Sequence, residues 1–231
     1  MYKYILWDID GTILNFKAAE NLAIKALFEK YKLGTCTDEM IAEYSVINDK
    51  YWQALERGEM SKPEILVGRF IEWFGTISVD TSVAKDFNAD YQVTLGDYVV
   101  FEEDAVEILK AEKEKGYRLI AVTNGTKIAQ EKKLKTSHLD EIFDAVYISE
   151  DVGFEKPSVN YFSNVFDKEG ITDKSEVVII GDSLTSDILG GTNAKIDTIW
   201  YNPSSKKNTR EDITVTYEIN KLKEINQYIP I

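Results

Sequence analysis

The sequence holds one cysteine, Cys36, and one histidine, His138, in 231 residues. A single cysteine excludes an intramolecular disulfide and fits an intracellular compartment. Cys36 lies in the polar, turn-like stretch LGTCTDE, far along the chain from His138, and reads as incidental. His138, in KTSHLDE near a predicted helix end, reads as a surface residue. A mechanism built on a Ser-His or Cys-His pair therefore has little to draw on. No run approaches the roughly 18 apolar residues of a membrane span. The opening MYKYILWDIDGT has too short an apolar run, ended by two acids, for a signal peptide. A cytoplasmic protein, monomeric or homodimeric, is expected. Basic residues are also scarce: 27 Lys and Arg stand against 40 Asp and Glu, for a net charge of −13. Such a chain lacks the Lys/Arg footprint that nucleic acid polymers require, and anionic membranes repel it. Small phosphate esters stay open, because they need only a local site with a metal ion.

What is present is a foldable core. A hydrophobic fraction of 44% and an aromatic fraction of 12% exclude a disordered chain. The length suits one large domain or a core with a small inserted domain. Residues 2–7 form an apolar and aromatic run that stops at Asp8, a buried strand followed by a loop. Helical spacing then dominates from about 16 to 95. Leu22, Ala23, Ala26 and Leu27 mark the first helix, closed by Gly34. Thr37 or Asp38 caps a second over 40–55, broken at Gly58. Ser61-Lys62-Pro63-Glu64 opens a third over 65–74, stopped by Gly75, and a weaker fourth covers 80–95. From residue 104 the pattern alternates. Helices over 104–115, 127–134, 158–166 and 186–194 separate strands over 118–123, 145–148, 177–180 and 198–201. Strands alternating with helices imply a parallel sheet covered on both faces. The expected fold is a Rossmann-like α/β core, residues 1–14 and 100–231, with an all-helical cap, 15–99, inserted after the first strand. The cap would lie over the C-terminal strand ends, where open α/β sheets keep their ligands.

Four strand ends carry polar residues: Asp8-Ile9-Asp10-Gly11-Thr12, then Thr123-Asn124-Gly125, then Gly153-Phe154-Glu155-Lys156-Pro157, then Gly181-Asp182 through Asp187. A parallel sheet brings them to one edge. A carboxylate nucleophile is already ionised at neutral pH. Clustered carboxylates repel one another and call for a cation, and several hard oxygens suit Mg²⁺. Lys156 supplies a point charge for a phosphate. Thr123 and the N–H groups near Asn124 and Gly125 supply hydrogen bonds.

These four segments, in this order and context, resemble the motifs of the haloacid dehalogenase superfamily. The resemblance implies that Asp8 is nucleophile and Mg²⁺ ligand. It implies that Asp10 is general acid and then base, with its carbonyl on the metal. Thr123, Asn124 and Lys156 would hold the phosphoryl group, Lys156 would pair with Asp8, and Asp182 would bind Mg²⁺ with Asp187 in support. Members that cleave carbon–halogen bonds lack an aspartate at the Asp10 position, so its presence favours phosphoryl chemistry. The stretches 149–157, 181–191 and Trp200-Tyr201-Asn202-Pro203 further resemble the pyrimidine 5′-nucleotidase branch. That implies hydrolysis of nucleoside monophosphates, including non-canonical pyrimidines.

Each segment has a plainer reading. An aspartate after a strand is commonly a cap, Thr123-Asn124-Gly125 alone is a turn, and Lys156-Pro157 alone is an exposed loop. Four such coincidences at four strand ends are harder to accept than one site. For Phe16, Tyr44, Tyr51, Trp52, Phe70, Trp73, Phe74 and Tyr91 the balance reverses. At helical spacing most are core, with one or two lining the site. A sugar-phosphate phosphatase, a hexose phosphomutase and a non-catalytic phospho-ligand module are the alternatives.

Overall fold

Strands buried on both faces show no polar alternation, and the runs YILW, LIAV and VVII have none. The computed structural model describes residues 1–229. In it β1 (Tyr4–Trp7) is followed by the helices α1 (Phe16–Tyr31), α2 (Asp38–Glu56), α3 (Lys62–Thr76) and α4 (Ala84–Leu95). Then come α5 (Ala105–Glu114), β2 (Arg118–Thr123), α6 (Lys127–Ser137), β3 (Ala145–Ile148) and the single turn α7 (Ser149–Val152). The chain continues through α8 (Val159–Glu169), β4 (Val177–Gly181), α9 (Leu189–Ala194), β5 (Asp197–Tyr201) and β6 (Tyr217–Ile219). The sheet has six strands in the order β3-β2-β1-β4-β5-β6, and every pairing is parallel. After β1 the chain winds to one side through β2 and β3, then crosses back to β4 on the other. The crevice outside the C-terminal ends of β1 and β4 is therefore the topological switch point.

Each sheet face has its own core. Ile5, Trp7, Val178 and Ile180 pack with Leu109 of α5, while Leu6, Val122 and Ile179 pack with Phe162 and Val165 of α8. Helices α1–α4 build a third core, rich in rings. Tyr44 stacks on Phe70 with centroids 5.0 Å apart, and Phe87 meets Phe74 edge-on at 5.0 Å. The helical insert leaves and rejoins the sheet side by side. Leu14 bridges Phe101 antiparallel, the Asn15 N–H donates to the Val100 carbonyl at 2.7 Å, and that of Glu102 to Ile13 at 2.9 Å. A parallel α/β sheet with an inserted helical cap is thus the fold.

Local chemistry departs from the sequence reading in places. Thr37 caps α2 by accepting from the Met40 N–H, and Ser61 with Glu64 closes a capping box on α3. Lys32, in the left-handed region, ends α1 before Gly34 is reached. Helix α3 runs through Gly75 to Thr76, and α9 is preceded by a π-type turn at Leu184–Ile188. β6 and the 3₁₀ turn Leu222–Gln227 were not anticipated, because three and six residues are too few to show a period. Cys36 is buried in the insert's core rather than set in an open turn, and burial pushes its thiol up to about 11. His138 is exposed and ends α6, as expected.

One charge lies deep in the core. Glu112 of α5 is fully buried, and the Trp7 indole donates to its Oε2 at 2.9 Å. Its other oxygen has no hydrogen-bond partner among the described residues. Burial pushes this carboxyl up to about 8. The folded state therefore holds a proton that the unfolded chain releases near its ordinary carboxylate range. That contribution is fully present at low pH and is lost as pH rises through about 8. Denaturant titrations between about pH 5 and pH 9 should show stability falling with pH, with a shallower slope in Glu112→Gln. An identical slope in both proteins would clear Glu112 of this role.

Candidate active site

The four polar strand ends converge at the switch point. Asp8 follows β1 directly, and its N–H donates to the Ile180 carbonyl of β4 at 2.9 Å. Its side chain is buried. The Thr12 hydroxyl donates to Asp8 Oδ2 at 3.0 Å and accepts from the Asp182 N–H at 3.1 Å, tying the first segment to the fourth. Gly11 has φ +93°, and a Cβ there would meet the Asp182 carboxylate at 2.8 Å. Glycine is needed both for that turn and for the approach of the two loops.

Lys156 is the one cation in this group. It is 1% exposed, and its ammonium donates to Asp8 Oδ1 at 2.8 Å, Asp187 Oδ1 at 2.7 Å and the Val122 carbonyl at 2.8 Å. All three ammonium protons are used. Burial works against its charge, but Asp187 and Asp8 override that and hold the ammonium well above its ordinary range. Asp187 also accepts from the Ser183 N–H at 3.1 Å. The cap of the following turn is the Ser183 hydroxyl, which accepts from the Ser186 N–H, so neither Asp182 nor Asp187 is spent as a helix cap.

Carboxylate oxygens of Asp8, Asp182 and Asp187 all lie within 4.8 Å of one another. Burial first, then Asp187 and Asp10, push the Asp8 carboxyl up to about 7 against the pull of Lys156. Burial, Asp8 and Asp187 raise Asp182 as well. Three carboxylates facing one ammonium form a charge-deficient cluster of hard oxygens. That donor set fits a divalent cation of the magnesium type.

The remaining expected residues sit close by in different ways. Thr123 ends β2 and is buried; its hydroxyl accepts from the Gly125 N–H at 3.0 Å, leaving its proton to donate. The Asn124 side chain is taken up by backbone groups of Lys156. Its amide N–H₂ donates to the Lys156 carbonyl and its Oδ1 accepts from the Lys156 N–H, each at 2.8 Å, so it clamps the loop that carries Lys156. The Asp10 carboxylate stands outside the Asp8 cluster. It accepts from Gln130 Nε2 and Lys133 Nζ, both at 2.6 Å. The sequence reading missed Gln130 and Lys133, since KIAQEKKLKTS is polar all round and gives no sign of an inward face.

A narrow cavity of about 30 Å³ adjoins Asp10, walled by Phe16, Trp52, Arg69, Tyr91 and Lys133 among others. Three of the eight aromatics named from sequence therefore line it, and Tyr44, Phe70, Trp73 and Phe74 are core. Arg69 is buried against Trp52 at 6.0 Å and Tyr91 at 5.3 Å, and it donates to Asn48 Oδ1.

Comparison with known proteins agrees with this geometry. The family model for haloacid dehalogenase-like hydrolases matches residues 5–201. The chain is similar to HAD-hydrolase YfnB of Bacillus subtilis, with 37% identity over all of this chain and 96% of the relative. A crystal structure of YfnB, described as bound to magnesium and as revealing interdomain movement, superposes with a TM-score of 0.89 over 100% of this chain and 99% of that one. Pyrimidine 5′-nucleotidase PynA of Streptococcus pneumoniae is 34% identical over 97% of this chain and 93% of its own length. Pyrimidine 5′-nucleotidase YjjG of Escherichia coli is 28% identical over 99% and 98%. The match along nearly the whole chain, with all four polar strand ends gathered at one crevice, places this protein in the haloacid dehalogenase-like hydrolase family.

Proposed function

We propose that this chain is a magnesium-dependent phosphate monoester hydrolase, a 5′-nucleotidase acting on pyrimidine nucleoside monophosphates, non-canonical ones included. The observation that carries the reading is Asp8, buried and oriented by Thr12 and Lys156, beside Asp182 and Asp187. The relatives named pyrimidine 5′-nucleotidase support the leaving-group class. The same reading makes it a cytoplasmic enzyme, monomeric or homodimeric; among the described residues no helix is long and apolar enough to cross a membrane.

In this reading an Asp8 oxygen attacks phosphorus and the bond from phosphorus to the leaving oxygen breaks. The Asp10 carboxyl gives its proton to that oxygen. Water then attacks the aspartyl-phosphate, the Asp10 carboxylate takes its proton, and the bond between Asp8 and phosphorus breaks to release inorganic phosphate. The Thr123 hydroxyl donates to a phosphoryl oxygen, and the Lys156 charge beside Asp8 offsets the phosphoryl charge. Asn124 keeps the Lys156 loop in place. Asp8, Asp182 and the Asp10 carbonyl, supported by Asp187, would hold Mg²⁺, which when bound withdraws charge from the phosphoryl group. Residues 15–99 serve as the cap over a core of 1–14 and 100–231. Phe16, Trp52, Arg69 and Tyr91 carry the leaving-group contacts, and closure shuts out water.

Phosphate release from dUMP, dTMP, UMP and hexose phosphates, with and without Mg²⁺, tests the reading directly. Nucleotides should turn over only with the metal, whereas hexose phosphate isomerisation without phosphate release would make the chain a mutase. Asp8→Asn should lower turnover by more than about 10³-fold while leaving Tm near wild type. Near-normal turnover in that variant would remove Asp8 as nucleophile. Magnesium at a hundredfold excess over its Kd should add about 2.7 kcal/mol to the unfolding free energy. That gain should appear as a rise in Tm and be missing in Asp182→Asn. Trp52→Ala should raise KM for dUMP about tenfold, the size of one lost stacking contact, and leave the KM of acetyl phosphate nearly unmoved.

A further inference from the structure

We infer that Gln130 and Lys133 of α6 are positioning residues that hold Asp10 as the base of the hydrolytic half-reaction. This inference rests on the phosphatase reading above. Lys133 is 2% exposed and Gln130 is fully buried, yet both reach the same carboxylate at 2.6 Å. Among the described residues the only carboxylate within ion-pair distance of Lys133 is that of Asp10. A buried ammonium is costly without a counter-charge, so this lysine is committed to Asp10. The Phe16 ring lies 5.1 Å from its ammonium and closes the insert side.

The donors occupy one site on each Asp10 oxygen. A carboxylate has about four lone-pair positions, so two are left for a water. A carboxylate fixed between two donors is held in one orientation, as the base of the second step must be once the leaving group has gone. Gly125 makes the arrangement possible, because a Cβ there would come within 2.0 Å of Gln130 Nε2. The turn after β2 therefore does more than present N–H groups to a phosphate. It leaves open the path by which Gln130 crosses to Asp10. Thr126, which opens α6, donates from its hydroxyl to Gln92 of the insert at 2.7 Å, so the helix carrying the clamp is also fastened to α4.

The test is p-nitrophenyl phosphate turnover followed from the first cycle with saturating Mg²⁺. Its phenolate leaves without needing a proton, so phosphorylation of Asp8 is spared and hydrolysis is exposed. Lys133→Met should show a burst of about one p-nitrophenol per enzyme. A steady rate about 10- to 100-fold below wild type should follow, the effect of a displaced catalytic group, while kcat/KM changes far less. Gly125→Ala, which keeps both side chains but pushes Gln130 aside, should give the same signature more weakly. In an Asp10→Asn background Lys133→Met should cost almost nothing further, because the two act as one unit. Equal falls in kcat and kcat/KM without a burst, or full additivity with Asp10→Asn, would overturn the inference and leave the phosphatase reading standing. Absence of any turnover by the wild type would overturn both.

Discussion

The site depends on where one buried ammonium is placed. Lys156 is buried, and its three protons go to Asp8, Asp187 and the Val122 carbonyl. These partners come from three strand ends. A lysine in that position holds the loop after β3 against the ends of β1, β2 and β4 at once. Removing the Lys156 ammonium from this buried set would cost about 3–5 kcal/mol, because Asp8 and Asp187 would be left as uncompensated charges. The same arrangement is unsaturated toward cations. Asp182 adds a third carboxylate that Lys156 does not contact, and burial first, then that surplus of carboxylates, raises Asp8 and Asp182. The fold has thus placed a polar cluster whose own charges do not cancel where open parallel sheets receive ligands.

Much of this was legible in the chain. Asp8, Asp182, Asp187 and Lys156 each follow an apolar strand, and a parallel sheet puts strand ends on one edge whatever the details between them. The insert was readable because helical spacing recurs in four successive segments, with no strand pattern among them, between the first strand and the first alternating unit. Its aromatic residues were rightly weighed as core, since Tyr44, Phe70, Trp73 and Phe74 interlock at ring-contact distances. The bonds of the Asn124 side chain to the Lys156 backbone were not legible. The neighbours of Asn124 in sequence imply a phosphate-facing turn, but an amide can satisfy a backbone N–H and C=O together, and Lys156 presents both.

What was not legible depends on which way a helix is turned. Helix α6 has almost no apolar stripe, so nothing in KIAQEKKLKTS distinguishes Lys133, fully enclosed, from Lys132, which reaches Asp97 at the surface. The difference is set by Phe16 and α4 packing from a segment more than thirty residues away along the chain. Arg69 was hidden in the same way. On a helix an arginine reads as solvated, yet here it is flanked by Trp52, Phe70 and Tyr91 and held by Asn48. Buried cations among aromatic rings are tertiary facts, and periodicity carries no trace of them. β6 escaped for a simpler reason, since a three-residue edge strand has no pattern to read.

The two aspartates to which the proposed reaction gives catalytic tasks differ in what surrounds them, and that difference fits the division of those tasks. Asp8 lies within the core's own network, reached by Thr12, Lys156, Asp182 and Asp187. Asp10 is only two residues on, but it is oriented by α6 and faces a cavity whose far wall belongs to the insert. Phosphoryl capture at Asp8 can therefore be built into a rigid sheet edge. Proton transfer at Asp10 is tied to a helix that the insert touches through Gln92 and Phe16. The cavity beside Asp10 measures about 30 Å³. A shift of the insert would loosen the surroundings of Lys133, which Phe16 touches, but not those of Lys156, whose partners all lie in the core. In the proposed reaction, closure of the insert would then complete the acid–base half of the site around a phosphate-binding half already formed. This order favours transfer to water only after the leaving group has been enclosed and released.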